Sequence, residues 1–153
     1  NGAGKTSLLR LIAGDLQPTS GEIRRFVPVA MFDQQMSLMD RSATLYENFR
    51  RLNKGASDND AHAVLARFSF RGEGASRLAG SLSGGELLRA ALACILGGTL
   101  KPELLILDEP TNHLDIDSIE ALETVLNDYE GGLLLVSHDQ ALLDATGIER
   151  VIE

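Results

Sequence analysis

The stretch NGAGKTS, residues 1–7, has the makings of a loop that grips phosphate. Gly2 and Gly4 let backbone N–H groups turn inward around an anion, and the helical pattern that follows aims its positive N-terminus at the same point. In the pattern G-x-x-x-x-G-K-[ST], Lys5 would contact the β- and γ-phosphates of a nucleotide and Thr6 would offer its hydroxyl to Mg²⁺. The first glycine of that pattern would fall two positions before Asn1, so these residues could also be a plain glycine turn capping a helix. A second stretch, LLILDEP, is an apolar strand delivering two adjacent carboxylates at its C-terminal end, where ligands bind in open α/β sheets. Asp108 suits an Mg²⁺-organising role and Glu109 a general base that polarises an attacking water. Isolated acidic pairs are often mere solvated strand ends, but a phosphate loop in the same chain favours catalysis. In the third stretch, LSGGE, Ser83 followed by Glu86 makes a capping box on a helix. Its glycines, Gly84 and Gly85, also expose N–H groups at that helix start, a second anion site. One chain has no evident need of two such sites; a dimer that sandwiches a nucleotide needs both.

These groups must be positioned by regular elements, and the hydrophobic pattern supplies them. KTSLLRLIAG predicts a helix with Leu8, Leu11 and Ile12 on one face and Gly14 at its end. VPVAMF, Val27–Phe32, predicts a short strand, and DLQPTSG before it is turn chemistry around Pro18 and Gly21. TLYENFRRL and DNDAHAVLARF have helical period, the first opened by a Thr44–Glu47 capping box. GEGASRLAGSL reads as loop, and ELLRAALACIL as a helix closed by Gly97 and Gly98. Leu104–Asp108 predicts a strand, and DSIEALETVLNDY a helix capped by Asp117 and closed by Gly131 and Gly132. LLLVS, Leu133–Ser137, predicts a further strand, followed by the helical HDQALLDATG and a short strand RVI. Strands apolar on both faces, alternating with helices, indicate the α/β class and a parallel sheet covered on both sides. The helix-rich stretch from Met39 to Ser81 interrupts the alternation as an insertion.

With 153 residues, 44% hydrophobic and 24% charged, the composition is that of one globular domain. Twenty-two acidic against fourteen basic residues give a net charge of -8, which argues against a free-standing nucleic-acid binder. No apolar run is long enough to span a bilayer. The single cysteine, Cys94, excludes an internal disulfide and sits in the apolar pattern as core filler. His62 lies in a polar helical stretch and is expected to face solvent.

Taken in order, NGAGKT, FDQ, LSGGE, LLILDEP, TNHLD and LLLVSHD resemble an ATP-binding cassette (ABC) domain along the whole chain. The resemblance implies a P-loop NTPase-type, mostly parallel sheet with a helical subdomain inserted. Residues 1–35 and 97–153 would form a RecA-like core, and about 39–96 the helical subdomain including the signature helix. It implies ATP and Mg²⁺ as ligands, held by Asn1, Gly2, Ala3, Gly4, Lys5, Thr6 and Ser7, with Thr6, Asp108 and Gln34 on the metal. Gln34 resembles the Q-loop glutamine, His138 the switch histidine that hydrogen-bonds the γ-phosphate, and Asp115 the D-loop aspartate at a dimer interface. Ser83 and Gly85, with Gly84 between them, match signature positions that touch ATP held by an opposing cassette. His113 falls in the D-loop with no chemical role argued. The family also carries a strand before the phosphate loop, so the resemblance implies a piece of a longer polypeptide that hydrolyses ATP poorly by itself.

The D-loop distinguishes subfamilies: transporter cassettes commonly read SALD here, whereas EPTNHLD resembles the ABC-F proteins, which carry two cassettes in one chain and act on ribosomes in the cytoplasm. No long charged hairpin lies between Gln34 and Leu82, so a second cassette, or one from an armless member, is implied. The alternatives are the nucleotide-binding domain of a membrane transporter and a non-catalytic module that only switches shape on ATP. Intact Glu109 disfavours the last.

Overall fold

The computed structural model describes residues 4–33, 35–98, 101–112 and 114–150. The chain divides into two compact units, one of residues 1–35, 102–112 and 119–153, the other of residues 36–101 and 113–118.

Among its described residues the first unit is built on three parallel strands. β2 (Leu104–Asp108) lies between β1 (Val29–Phe32) and β3 (Gly132–Val136), with Phe32 opposite Leu107 and Asp108 opposite Val136. Leu105, Ile106 and Leu107 are completely buried, as an apolar-all-round strand requires. β1 begins two residues later than Val27, because Pro28 offers no N–H to a ladder and Val27 stays exposed. Helix α1 (Lys5–Ala13) packs on β1 and β2. Here the structure departs from the expected face: Leu8 is 57% exposed and Leu9 is buried. Two stripes, one through Leu8 and one through Leu9, share Ile12, and periodicity by itself cannot choose between them. Gly14 ends the helix with φ 98°, and Arg25 donates from Nε to the Ile12 carbonyl and from Nη2 to the Leu11 carbonyl, both at 2.7 Å.

Two more helices follow the strands. α5 spans Ile116–Asn127 and α6 spans Gln140–Ala145. α6 starts later than HDQ suggests because Asp139 is its cap, accepting from the N–H groups of Ala141 and Leu142. Gly132 belongs to β3 and not to the helix end, for α5 stops at Asn127. Of the expected strand RVI, Val151 and Ile152 lie outside the described residues.

In the second unit, α2 (Leu45–Leu52) packs against α3 (Asp58–Arg67) and α4 (Gly84–Leu96), and α3 packs against α4. Each of the three helices opens on a capping box: Thr44 with Glu47, Ser57 with Asp60, Ser83 with Glu86. The second was not foreseen, since Asp60 replaces the usual Glu or Gln. The stretch expected as loop holds two 3₁₀ turns, Gly72–Ser76 and Ala79–Ser81. Between them and the start of α2 runs a short antiparallel ladder, with Leu45 N–H on the Arg77 carbonyl, Ala79 N–H on the Ala43 carbonyl and Gly80 N–H on the Arg41 carbonyl. The core holds Leu45, Phe49, Leu65, Leu88 and Leu92. Cys94 is buried there too, and burial pushes its thiol up to about 12. Asn48 is fully buried; its Oδ1 accepts from the Asp40 N–H at 2.8 Å and its Nδ2 donates to the Asp40 carbonyl at 2.9 Å. His62 is exposed, with its ring stacked on Tyr46 at 5.2 Å.

Candidate nucleotide site

In the first unit the start of α1 meets the C-terminal end of β2, and β3 ends beside β2. Gly4 takes φ 76°, a left-handed turn that suits glycine, and launches α1 toward that edge. Thr6 Oγ1 donates to Asp108 Oδ2 at 2.7 Å, and Asp108 is 8% exposed. A carboxylate and a hydroxyl oxygen brought to one place are the hard donors that Mg²⁺ prefers, and two protein ligands leave room for phosphate oxygens and water. The donor set therefore fits the ion. Among the described residues no group of three His, Cys, Asp or Glu could hold a metal. Lys5 and Ser7 are exposed at the helix start.

Glu109 follows directly on β2 and has φ 51°, a left-handed conformation costly for a side chain with a Cβ, on the order of 1–2 kcal/mol. Its N–H still donates to the Val136 carbonyl at 2.8 Å, so the kink occurs while the ladder continues. Its mostly buried carboxylate lies with Oε1 3.3 Å from Nε2 of His138, whose own side chain is largely exposed just beyond β3. Thr6, Asp108, Glu109 and His138 thus gather from three elements onto one edge of the sheet. Asn1, Gly2, Ala3, Gln34 and His113 lie outside the described residues.

The second unit holds the remaining candidates. Ser83 caps α4: its Oγ accepts from the Glu86 N–H at 3.2 Å, while Glu86 Oε2 accepts from the Ser83 N–H at 3.0 Å. Arg77 donates to both Glu86 oxygens, at 2.6 and 3.1 Å, and holds this carboxyl down at about 2, with help from the Ser83 N–H. Gly84 is exposed and Gly85 buried. A Cβ added to Gly85 would sit 1.7 Å from Ser118 Oγ, so this position admits only glycine beside that serine. Asp115 corrects an expectation: it, and not Asp117, caps α5, with Oδ1 accepting from the Ser118 N–H at 2.9 Å. Asp117 lies two residues past that cap, already in the first turn. The Ser118 hydroxyl and N–H hold the Asp115 carboxyl below its ordinary range. Sequence reasoning singled out neither Arg77 nor Ser118. Arg77 lies outside the motif, and Ser118 had a visible signal only in its place three residues after Asp115.

Among the described residues no helix is long and apolar enough to cross a membrane. The chain is 42% identical over 159 residues to the ATP-binding protein Uup of Haemophilus influenzae, a match covering 97% of the chain and 24% of that relative. It is 40% identical over 152 residues to the energy-dependent translational throttle protein EttA of Escherichia coli, covering 94% of the chain and 27% of that protein. The chain therefore spans only about a quarter of the length of these relatives. Among solved structures it superposes on the dimeric structure of MJ0796, a bacterial ABC transporter cassette, with TM-score 0.76 and 23% identity, over 95% of this chain and 74% of that one. At that identity the likeness speaks for the fold, an ABC-type P-loop NTPase with a parallel sheet. The family model described as ABC transporter matches residues 1–112. The chain thus belongs to the ABC family as an ATP-binding cassette domain, and its curated relatives are of the ABC-F type.

Proposed function

We propose that this chain is the ATP-hydrolysing cassette of an ABC-F type protein, one of two cassettes that close on each other around ATP and act on the ribosome in the cytoplasm. The observation that carries the proposal is the gathering of Thr6 on Asp108 at 2.7 Å with Glu109 and His138 3.3 Å apart along one sheet edge. In it, Lys5 and the N–H groups of residues 1–7 bind the phosphates, and Thr6, Asp108 and Gln34 would hold Mg²⁺. Bound Mg²⁺ supplies neutralising charge on the β- and γ-phosphate oxygens. Glu109 takes the proton of a water whose oxygen bonds to the γ-phosphorus, as the bond to the bridging oxygen breaks and leaves ADP and phosphate. His138 fixes a γ-phosphate oxygen and orients Glu109. Ser83, Gly84, Gly85 and Asp115 face the nucleotide of the second cassette. Residues 1–35 and 97–153 then serve as the RecA-like core, and about 39–96 as the helical subdomain. A relative named as a translational throttle supports the ribosomal part.

Glu109→Gln in the full-length protein tests this. Turnover should fall by roughly two to four orders of magnitude, with the ATP-bound form accumulating on ribosomes. Wild-type turnover would refute the catalytic assignment. A trapped protein that pellets with membranes and never with ribosomes would refute the ABC-F assignment in favour of a transporter cassette.

A further inference from the structure

The three capping boxes differ in one respect. In the box at α2 the Thr44 hydroxyl both accepts from the Glu47 N–H and donates to Glu47 Oε2 at 2.9 Å. In the box at α3 the Ser57 hydroxyl likewise donates to Asp60 Oδ2, at 2.7 Å. Each of those hydroxyls is used in both directions. At α4 the Ser83 Oγ accepts from the Glu86 N–H, but the Ser83 hydroxyl proton has no acceptor among the described residues. One difference in surroundings goes with it: the Glu86 carboxylate, while its Oε2 still accepts the Ser83 N–H, also receives both prongs of the Arg77 guanidinium, and among the described residues Glu47 and Asp60 have no such guanidinium. A hydroxyl has one proton to give, and here it is left to give outward.

We propose that Arg77 is a positioning residue for the signature serine: by drawing off the Glu86 carboxylate it keeps the Ser83 hydroxyl a free donor for a nucleotide held by a second cassette. The inference rests on the proposed function, in which Ser83 meets that nucleotide. Arg77 is itself well placed for such a task. Its carbonyl accepts the Leu45 N–H, the first rung of the ladder joining residues 77–80 to residues 41–45, so its backbone is fixed to the start of α2. The guanidinium's planar fork matches a carboxylate in two bonds, which a lysine ammonium cannot do.

The test is a double-mutant cycle on the ATPase activity of the full-length protein. Arg77→Ala frees the Glu86 carboxylate to accept the Ser83 proton, as at the other two boxes. Because the ion pair is partly exposed, kcat should drop by only about three- to tenfold, with KM for ATP little changed. Arg77→Lys should recover part of the loss. In a Glu86→Gln background, where no ion pair forms, Arg77→Ala should have almost no further effect. Any quickening of hydrogen exchange in α4 should be confined to its first turn, which separates positioning from a general loosening of the helix. If Arg77→Ala does not fold, Arg77→Gln keeps the stem and the backbone contacts and takes its place. An unchanged kcat, or the same drop in both backgrounds, overturns the inference. Glu109→Gln in the same assay keeps the two levels apart. If it abolishes turnover while Arg77→Ala does nothing, only the role of Arg77 fails; if it leaves turnover intact, the underlying function fails.

Discussion

Gly85→Ala should loosen α4, and Ser118→Gly should repair it. An ideal Cβ at Gly85 falls 1.7 Å from Ser118 Oγ and 2.4 Å from Ser118 Cβ, both far inside van der Waals contact. Relief requires a displacement of roughly 1.5 Å, and overpacking of this kind costs about 1–3 kcal/mol. Against this, alanine is favoured over glycine in a helix by up to about 1 kcal/mol, less in a first turn. The net expectation is a loss of about 1–2 kcal/mol, or roughly a five- to thirtyfold increase in local opening. Hydrogen exchange of peptides covering Gly84–Leu96 reads this directly and does not require the whole protein to melt in one step. Ser118→Gly removes both clashing atoms. It leaves Asp115 Oδ1 as the next neighbour, at an ordinary 3.7 Å, and keeps the N–H that Asp115 accepts. In the double variant α4 should exchange as in the wild type, with only the first turn of α5 faster. Exchange in Gly85→Ala as slow as in the wild type, or no recovery on adding Ser118→Gly, would refute the steric reasoning.

Two further outcomes can be checked independently. Asn48→Ala removes a fully buried amide that pairs with both the N–H and the carbonyl of Asp40, at a cost of about 2–4 kcal/mol; limited proteolysis should then cut within residues 37–43 many times faster, and an unchanged rate would show that the segment is held otherwise. Glu86, held at about 2 by Arg77 and the Ser83 N–H, has a native value below its ordinary 4.5, so the stability it adds is complete above about pH 4.5 and disappears as pH falls toward 2. Arg77→Ala should therefore lose less stability than the wild type between pH 5 and pH 3, measured by urea midpoints; equal losses would detach Glu86 from that window.

Much of this arrangement is local and could be seen in the chain. The apolar run Leu104–Asp108 is a central strand because it carries no polar face, and the Thr44 and Ser83 caps lie where their acidic partners three residues on announce them. What remained hidden depends on partners distant in sequence or on backbone angles without a compositional sign. Glu109 turns left-handed without a glycine to signal it, at the point where its N–H is the last to join the β2–β3 ladder and its carbonyl accepts the Asn112 N–H. Leu8 and Leu9 are equivalent to a periodicity argument until β1 and β2 provide the surface that buries one of them. Asp115 rather than Asp117 caps α5, a choice between two acids that only the helix start can make. Arg77 and Glu86 meet through the fold of residues 72–82, which has no period to read.

The pairing of Asp108 with Val136 makes the sheet a ruler for the Glu109–His138 contact. Parallel neighbours advance by about 3.3 Å per residue along the strand, so a slip of one position between β2 and β3 would stretch that separation to roughly 5 Å, out of contact. It would also turn every leucine of β3 to the opposite side. Length changes between the two strands are thus harmless only where residues 109–131 can absorb them outside the ladder, and the same insertion inside Gly132–Val136 would pull the histidine out of reach without touching either side chain.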